Sequence, residues 1–397
     1  MSKYTPLAFE INPDPAGYVF DVGSLFDKLC TLRDQRDARG LRYRLVSVLL
    51  LVVMAKLAGE DCLRGIAQWV ALRKEVLADL LGLCKPLAPH HTTYSRILGH
   101  AVGVDDLGRV VNSFFAQRPG AGESVVISLD GKTVRGTIPA GASRGLHLLA
   151  AYLPDEGWVV MQVEAGGKEN EITAAPRLLR SLDLRGKVVT ADALLAQREL
   201  DIQIVEAGGD YISLIKGNQR DTRDDIEMLF GPEPCAPGFS PGQKVYATAQ
   251  TTDKGHGRIE HRTITVSSEL NDYLNWPHVR QVFKLERRFT RIKDGRVSQQ
   301  VVYGVTSLTA EEASPKRLLH LIRQHWQIEN GLHYRRDDTL REDRCTLRTG
   351  HAAQTMTIIN NLVLGLLLGH GVRNVPDARR RFDVHLEEAA ALVTCSP

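Results

Sequence analysis

The spacing of apolar positions changes character twice along the chain. From Ser24 to Gln117 it is helical: Leu25, Leu29 and Leu32 recur turn by turn, and the run from Leu45 to Leu57 is apolar almost throughout. Leu63, Ile66, Trp69, Val70 and Leu77 form a further stripe. Pro86 and Pro89 break this segment, after which Thr92 or Thr93 can cap a short helix bearing Arg96. Such a helix can enter a DNA groove, although most merely pack. A Pro/Gly linker at Pro119 to Glu123 ends the helical part. SVVISLD (124–130), LHLLAAYL (146–153) and WVVMQVEA (158–165) then predict three strands, the last two joined by PDEG. A helix is predicted from Asn170 to Leu182, then a strand in GKVVTADA (186–193), a helix in LLAQRELDIQIVEAG and a strand in DYISLIKGN (210–218). The order β-β-β-α-β-α-β predicts a mixed sheet flanked by helices, an α/β class with an all-helical domain in front.

From Gln219 to about Ala313 the alternation stops. FGPEPCAPGFSPG reads as a loop, and KVYATAQTT (244–252), RIEHRTITVS (258–267), VRQVFKLERRFTR (279–291) and VVYGVTSL (301–308) read as strands of a β-rich insertion. SPKRLLHLIRQHWQIENGLHYRRD (314–337) predicts a long helix, with Ser314 as N-cap and Pro315 at its first position. The expected organisation is an arm (1–23), a helical accessory domain (24–118), a catalytic core (124–218 and 314–375) cut by the insertion (219–313), and a peripheral tail (376–397). The apolar runs 45–59 and 357–369 fall short of the roughly 18 to 20 residues of a membrane span, so buried core helices and no membrane are expected.

Composition narrows this modestly. The 397 residues suffice for two or three domains, and a net charge of +3 neither requires nor excludes nucleic acid. The six cysteines, Cys30, Cys62, Cys84, Cys235, Cys345 and Cys395, include no CxxC pair, which argues against a disulfide framework or zinc site and fits a reducing cytoplasm.

The chemistry-bearing residues lie at strand ends, where open α/β sheets place reactive groups. Asp130 ends the first predicted strand and Asp192 the fourth. A turn would explain Asp130, since Asp-Gly is a hairpin signal, and a helix cap would explain Asp192. Together they are harder to dismiss, because close like charges are costly without a cation between them. Hard carboxylate oxygens suit Mg²⁺ or Mn²⁺. Glu329 is the candidate third acid: His325, Glu329, His333 and Arg336 follow one helical face beside Trp326. A solvated face is the plainer explanation, and Asp337, Asp338, Glu342 and Asp343 are rival acids.

SLDGKTVRGT, VVTADALLAQRE, YISLIKGNQ, KGHGRIEHRTITV and HWQIENGLHYRRDDTLREDRC, in that order, resemble the transposases of the ISAs-type insertion sequences, the H-repeat-associated branch of the DDE transposases. The likeness runs over most of the chain. It implies a ribonuclease H-like core, whose element order the strands share, with a β-rich insertion before the last acid and a triad of Asp130, Asp192 and Glu329. It further implies double-stranded DNA partners (element ends and target), two Mg²⁺ or Mn²⁺ ions, a homodimer or higher oligomer on DNA, and a bacterial, nucleoid-associated setting. Related transposases carry a tyrosine, arginine and lysine around the glutamate, where this chain has Ile322, His325 and Arg336. The branch's own IEN block stands here as Ile328, Glu329 and Asn330.

The remaining cations are candidate phosphate contacts: Lys132, Arg135 and Lys216, with Asn218 beside them. KGHGRIEHR, with His256 and Arg258, could clamp DNA or simply turn a hairpin, and LERRFTRIK sets Arg287, Arg288, Arg291 and Lys293 around Phe289. His325, Asn330, His333 and Arg336 complete the expected DNA contacts. The leading expectation is a transposase that cuts and joins DNA; a silent DNA-binding relative and a metal nuclease without joining activity are the alternatives.

Overall fold

This computed structural model of the chain describes residues 21–39, 41–166, 170–231, 246–255 and 257–396. Five helices come first: α1 (Leu25–Cys30), α2 (Leu45–Leu57), α3 (Leu63–Leu80), α4 (His91–His100) and α5 (Val104–Phe115). Then follow β1 (Val126–Val134), β2 (Leu146–Leu153), β3 (Trp158–Glu164), α6 (Glu171–Leu179), β4 (Val188–Ala191), α7 (Arg198–Glu206) and β5 (Asp210–Ile215). α8 (Arg220–Phe230) precedes the long strands β6 (Ala247–Gly255), β7 (Arg258–Ser267), β8 (Gln281–Arg291) and β9 (Val297–Thr306). α9 (Pro315–His325), α10 (Ala352–Gly369), α11 (Val375–Val384) and α12 (Leu386–Thr394) complete the chain. The residues form two compact units built from separated stretches: one from the chain up to Ser124 with 131–166 and 329–397, the other from 125–130 and 167–328.

In the first unit the centre is α10, which packs against α2, α4, α5 and β3. By length and hydropathy α10 could cross a membrane, but most of it is buried inside the protein, including Ile359, Leu362, Val363 and Leu366. α2 is buried at every position but Val46, which is why its sequence shows no amphipathic period. The segment expected as a peripheral tail instead forms α11 and α12. Arg379 of α11 is buried, donating to Asp61 at 2.6 Å and to the Lys56 carbonyl at 3.0 Å. In this unit β2 and β3 form the expected antiparallel hairpin.

The second unit holds the strand order β1-β4-β5-β9-β8-β7-β6. β1, β4 and β5 are parallel; β9 runs antiparallel to β5, and β8, β7 and β6 continue as an antiparallel ribbon. Leu318, Leu319 and Ile322 of α9 pack with Ile264, Val266, Phe283, Leu285 and Val302 of the ribbon. Gly304 lies opposite Phe283, and any side chain there would run into the phenyl ring. The segment expected to be wholly β-rich opens with α8, whose Ile226 and Leu229 are buried one turn apart. Most of FGPEPCAPGFSPG lies outside the described residues.

One difference matters for chemistry. β1 does not stop or turn at Asp130-Gly131 but runs on to Val134, because Lys132 and Val134 continue the alternation of buried positions. Asp130 therefore sits inside a strand, at the point where the pairing with β4 ends.

Asp201 of α7 is 1% exposed and has no ion pair among the described residues; its carboxyl meets Ser213 Oγ at 2.9 Å and Trp276 Nε1 at 3.0 Å. Burial pushes its pKa up to about 7, against the pull of the Ser213 and Trp276 hydrogen bonds. A raised carboxyl favours the folded state fully below its ordinary value of 3.8, and that contribution fades as pH rises through about 7. Asp201→Asn, which mimics the protonated form, should raise the melting temperature at pH 8 clearly more than at pH 5. Equal effects at both pH values would show that Asp201 is not buried as an acid.

Candidate active site

The site begins with a register. β1 and β4 pair in parallel with Leu129 opposite Ala191, so the next residues, Asp130 and Asp192, leave neighbouring strands side by side. Both are half-buried. Asp192 Oδ1 accepts the backbone N–H groups of Leu194 and Leu195 at 2.9 and 3.4 Å. It thus turns the chain after β4, though α7 starts only at Arg198 and is not capped by it. A carboxylate tethered through one oxygen is oriented rather than free to swing.

Behind the acids runs a buried polar chain. Ser128 Oγ lies 3.2 Å from Thr190 Oγ1, which lies 3.2 Å from Nδ1 of His325 at the end of α9. Burial lowers the His325 pKa even though Asp130 and Asp192 pull the other way. His325 is 8% exposed, so the expectation that it contacts DNA is corrected: it supports the acid pair from within. Residues 217–219 are tied to the same place. The Asn218 amide donates to the Ala193 carbonyl at 2.6 Å, and Gln219 to that of Ala196 at 3.1 Å. Asn218 therefore positions the loop after Asp192, while Lys216 is exposed and near enough to lower the His325 pKa further.

The expected helical stripe does not survive as one face. α9 ends at His325, and Ile328–His333 and Arg335–Thr339 form π-helical turns, which carry an extra residue per turn and are common at functional sites. Glu329 and Asn330 are exposed, whereas His333 and Arg336 are buried at 7% and 0% exposure. Glu329 opens the last stretch of the first unit; Asp130 and Asp192 belong to the second. Among the described residues, no group of three or more His, Cys, Asp or Glu side chains is arranged to hold a metal ion.

Two cations expected at DNA are spent elsewhere in the first unit. Arg336 donates to Glu342 at 2.7 and 3.0 Å, Glu342 also accepts from Asn360 at 2.7 Å, and Lys132 lies 3.5 Å from Glu342, 3.3 Å from Asp343 and in contact with Asp337. Lys132 and Arg336 are thus corrected from phosphate contacts to buried, ion-paired groups, and His333 to a buried side chain. A cation binding the same oxygens would have to displace these partners. Arg135 remains exposed, with Asp343 at 3.7 Å from its guanidinium and accepting its backbone N–H.

On the ribbon, His256 lies outside the described residues. Arg258 is exposed, 5.0 Å from the Phe289 ring and 3.9 Å from Glu260. Glu260 is buried between Arg262 at 2.7 Å and Arg287 at 2.9 Å; Asp253 pairs with Arg262 and, at 3.1 Å, with Arg323 of α9. Arg287 stacks 4.1 Å over Trp326. Sequence reading missed the roles of Glu260, Asp253 and Arg323. The signal for Glu260 was present in the alternation of RIEHR against ERRFTR, once the strands are aligned.

The Transposase DDE domain family matches residues 121–366, and the DDE_Tnp_1-associated family matches 26–114. The chain belongs to the DDE transposase family. It is 27% identical over 356 residues to "H repeat-associated putative transposase YhhI" of Escherichia coli K12, covering 87% of this chain and 91% of that one. It is 34% identical over 277 residues to "Uncharacterized protein in dhlA 3'region" of Xanthobacter autotrophicus, covering 68% and 89%. A piggyBac transposase synaptic complex with hairpin DNA aligns with 93% of this chain and 77% of its own, at a TM-score of 0.41 and 10% identity.

The Arg336–Glu342 pair yields a stability test. Burial alone would raise the Glu342 carboxyl, but Arg336, Lys132 and Asn360 hold it down at about 2. That contribution is present above the ordinary value of 4.5 and is lost as pH falls from there towards about 2. Arg336→Met leaves a buried carboxylate short of its partner and should cost about 3–5 kcal/mol. A variant that melts like wild type, but binds DNA less well, would return Arg336 to the DNA surface.

Proposed function

We propose that this protein is a bacterial insertion-sequence transposase that binds the ends of its element and cuts and joins DNA strands at Asp130, Asp192 and Glu329. The β1–β4 register carries the reading: parallel pairing sets two aspartates next to each other, an arrangement whose repulsion a divalent cation relieves. The order of elements along the chain, a hairpin and then parallel strands joined by helices, suits a ribonuclease H-like core.

The donor set fits a hard cation, since the register brings two carboxylates to the same level of adjacent strands and one of them is already oriented by backbone N–H groups. Asp130 and Asp192 would hold Mg²⁺ or Mn²⁺, with Glu329 as the third carboxylate. Bound ions of this kind make water or a 3′-hydroxyl a better nucleophile and stabilise the leaving oxygen at a phosphodiester. The chain's own residues do the rest. Asp192 presents one oxygen while Leu194 and Leu195 hold the other, and His325, whose charged form burial disfavours, supports the acids from beneath through Thr190. Lys216 and Arg135, both exposed, are placed to meet phosphates, and Asn330 lies beside Glu329 on the exposed π-helical turn. Cutting both ends of an element calls for at least two copies of the chain on DNA.

Asp130→Asn, Asp192→Asn and Glu329→Gln should each lower Mg²⁺-dependent cleavage and strand transfer of labelled element-end DNA roughly a hundredfold or more, with the fold retained. Product analysis separates the alternatives: joined strands mark a transposase, cleavage alone a nuclease, binding alone a silent relative. Any of the three variants that cuts at the wild-type rate removes its residue from the set.

A further inference from the structure

The ribbon β7–β8–β9 has one face whose charge changes along its length. Residues opposed in antiparallel strands point to the same side, so Arg258 with Arg291, Glu260 with Phe289, and Arg262 with Arg287 share a face. Phe289 with Ser298 and Arg287 with Gln300 extend that face onto β9. Farther along the same face come Ile264, Val266, Phe283, Leu285 and Val302, which pack against α9. The end of α9 places His325 against Thr190, one strand position from Ala191 and two from Asp192. The arginine-bearing face and the acid pair thus lie on the side of the sheet that α9 covers.

Direction agrees with side. Tyr303 of β9 pairs with Ile215, the last residue of β5, so residues 297–302 run on past the carboxyl ends of the parallel strands. Six residues at about 3.4 Å each carry the tip roughly 20 Å beyond those ends. At that tip is a cavity of about 610 Å³ lined by Gly257, Arg258, Phe289, Arg291, Arg296, Val297 and Ser298.

The charges there are not spent as they are lower down. Glu260 and Asp253 hold Arg262, Arg287 and Arg323, whereas at the tip Arg258 reaches Glu260 only at 3.9 Å and Arg291 meets one exposed acid, Asp294, at 3.2 Å. Arg296 has no ion pair among the described residues. We infer that this cavity is a second DNA site, taking a backbone phosphate of the duplex whose scissile phosphate lies at Asp130 and Asp192. With the three strand steps from β4 to β8 adding roughly 14 Å sideways, the separation is on the order of 25 Å, about seven nucleotides at 3.4 Å along a strand. Phe289 shapes the site apolar enough for a deoxyribose to rest on it, while Arg258, Arg291 and Arg296 meet the phosphate. The spacing rests on the reading of the acid pair as the cutting site.

The test is fluorescence anisotropy of the full-length protein with a 40-base-pair duplex of arbitrary sequence, over a series of salt concentrations. Arg258→Ala combined with Arg296→Ala should weaken binding several-fold and flatten the salt dependence by roughly one unit, near 0.9 for the one phosphate no longer neutralised. Arg185→Ala, an exposed arginine elsewhere in the same unit, should change neither. A double variant matching wild type on the duplex, in affinity and salt slope, would overturn the site while leaving the acid pair's role standing. A wild-type protein that binds no duplex at all would overturn both.

Discussion

Two carboxylates on adjacent parallel strands repel each other, and the register of β1 with β4 makes that arrangement unavoidable here. The surrounding structure resists their separation. Ser128, Thr190 and His325 form a buried polar chain beneath them, Asn218 and Gln219 fasten the next strand's loop to the segment after Asp192, and the apolar side of α9 anchors His325. None of these groups brings a full positive charge into contact with the acids. Burial favours the uncharged imidazole, against the pull of the two acids.

Elsewhere the protein pairs its charges internally, and the contrast is informative. Arg336 and Lys132 surround Glu342; Arg379 and Lys56 share Asp61; Arg262, Arg287 and Arg323 are bound by Glu260 and Asp253. Most of these groups are withdrawn from solvent, and breaking one partner of such a pair leaves a stranded charge. Exposed cations such as Lys216, Arg135, Arg258 and Arg296 carry no comparable commitment. A formal net charge of +3 therefore conceals an uneven surface, with structural cations inside and available ones gathered at particular edges.

Much of the fold was legible in local pattern. β2, β3 and β5 and the start of α9 lie where the apolar spacing and the Ser314-Pro315 cap place them, and Asn170 caps α6 through reciprocal bonds with Thr173. The errors have physical causes. Asp130-Gly131 has the chemistry of a turn, but the buried positions of Lys132 and Val134 draw the strand onwards. The stripe through Glu329 assumed 3.6 residues per turn, and the π-helical turns spoil that count. α8 was lost beside the Pro/Gly-rich loop, where composition outweighed a short amphipathic pattern.

What the amino-acid order determined alone was the set of elements and the acids that belong to them, because period, caps and strand-end carboxylates are properties of neighbouring residues. Which cations are available was decided only by tertiary structure. Lys132 looks no different from Lys216 in the chain, and becomes so once Glu342 and Asp337, some two hundred positions away, are folded against it. Burial and ion pairing depend on contacts between distant segments, and no local pattern records those.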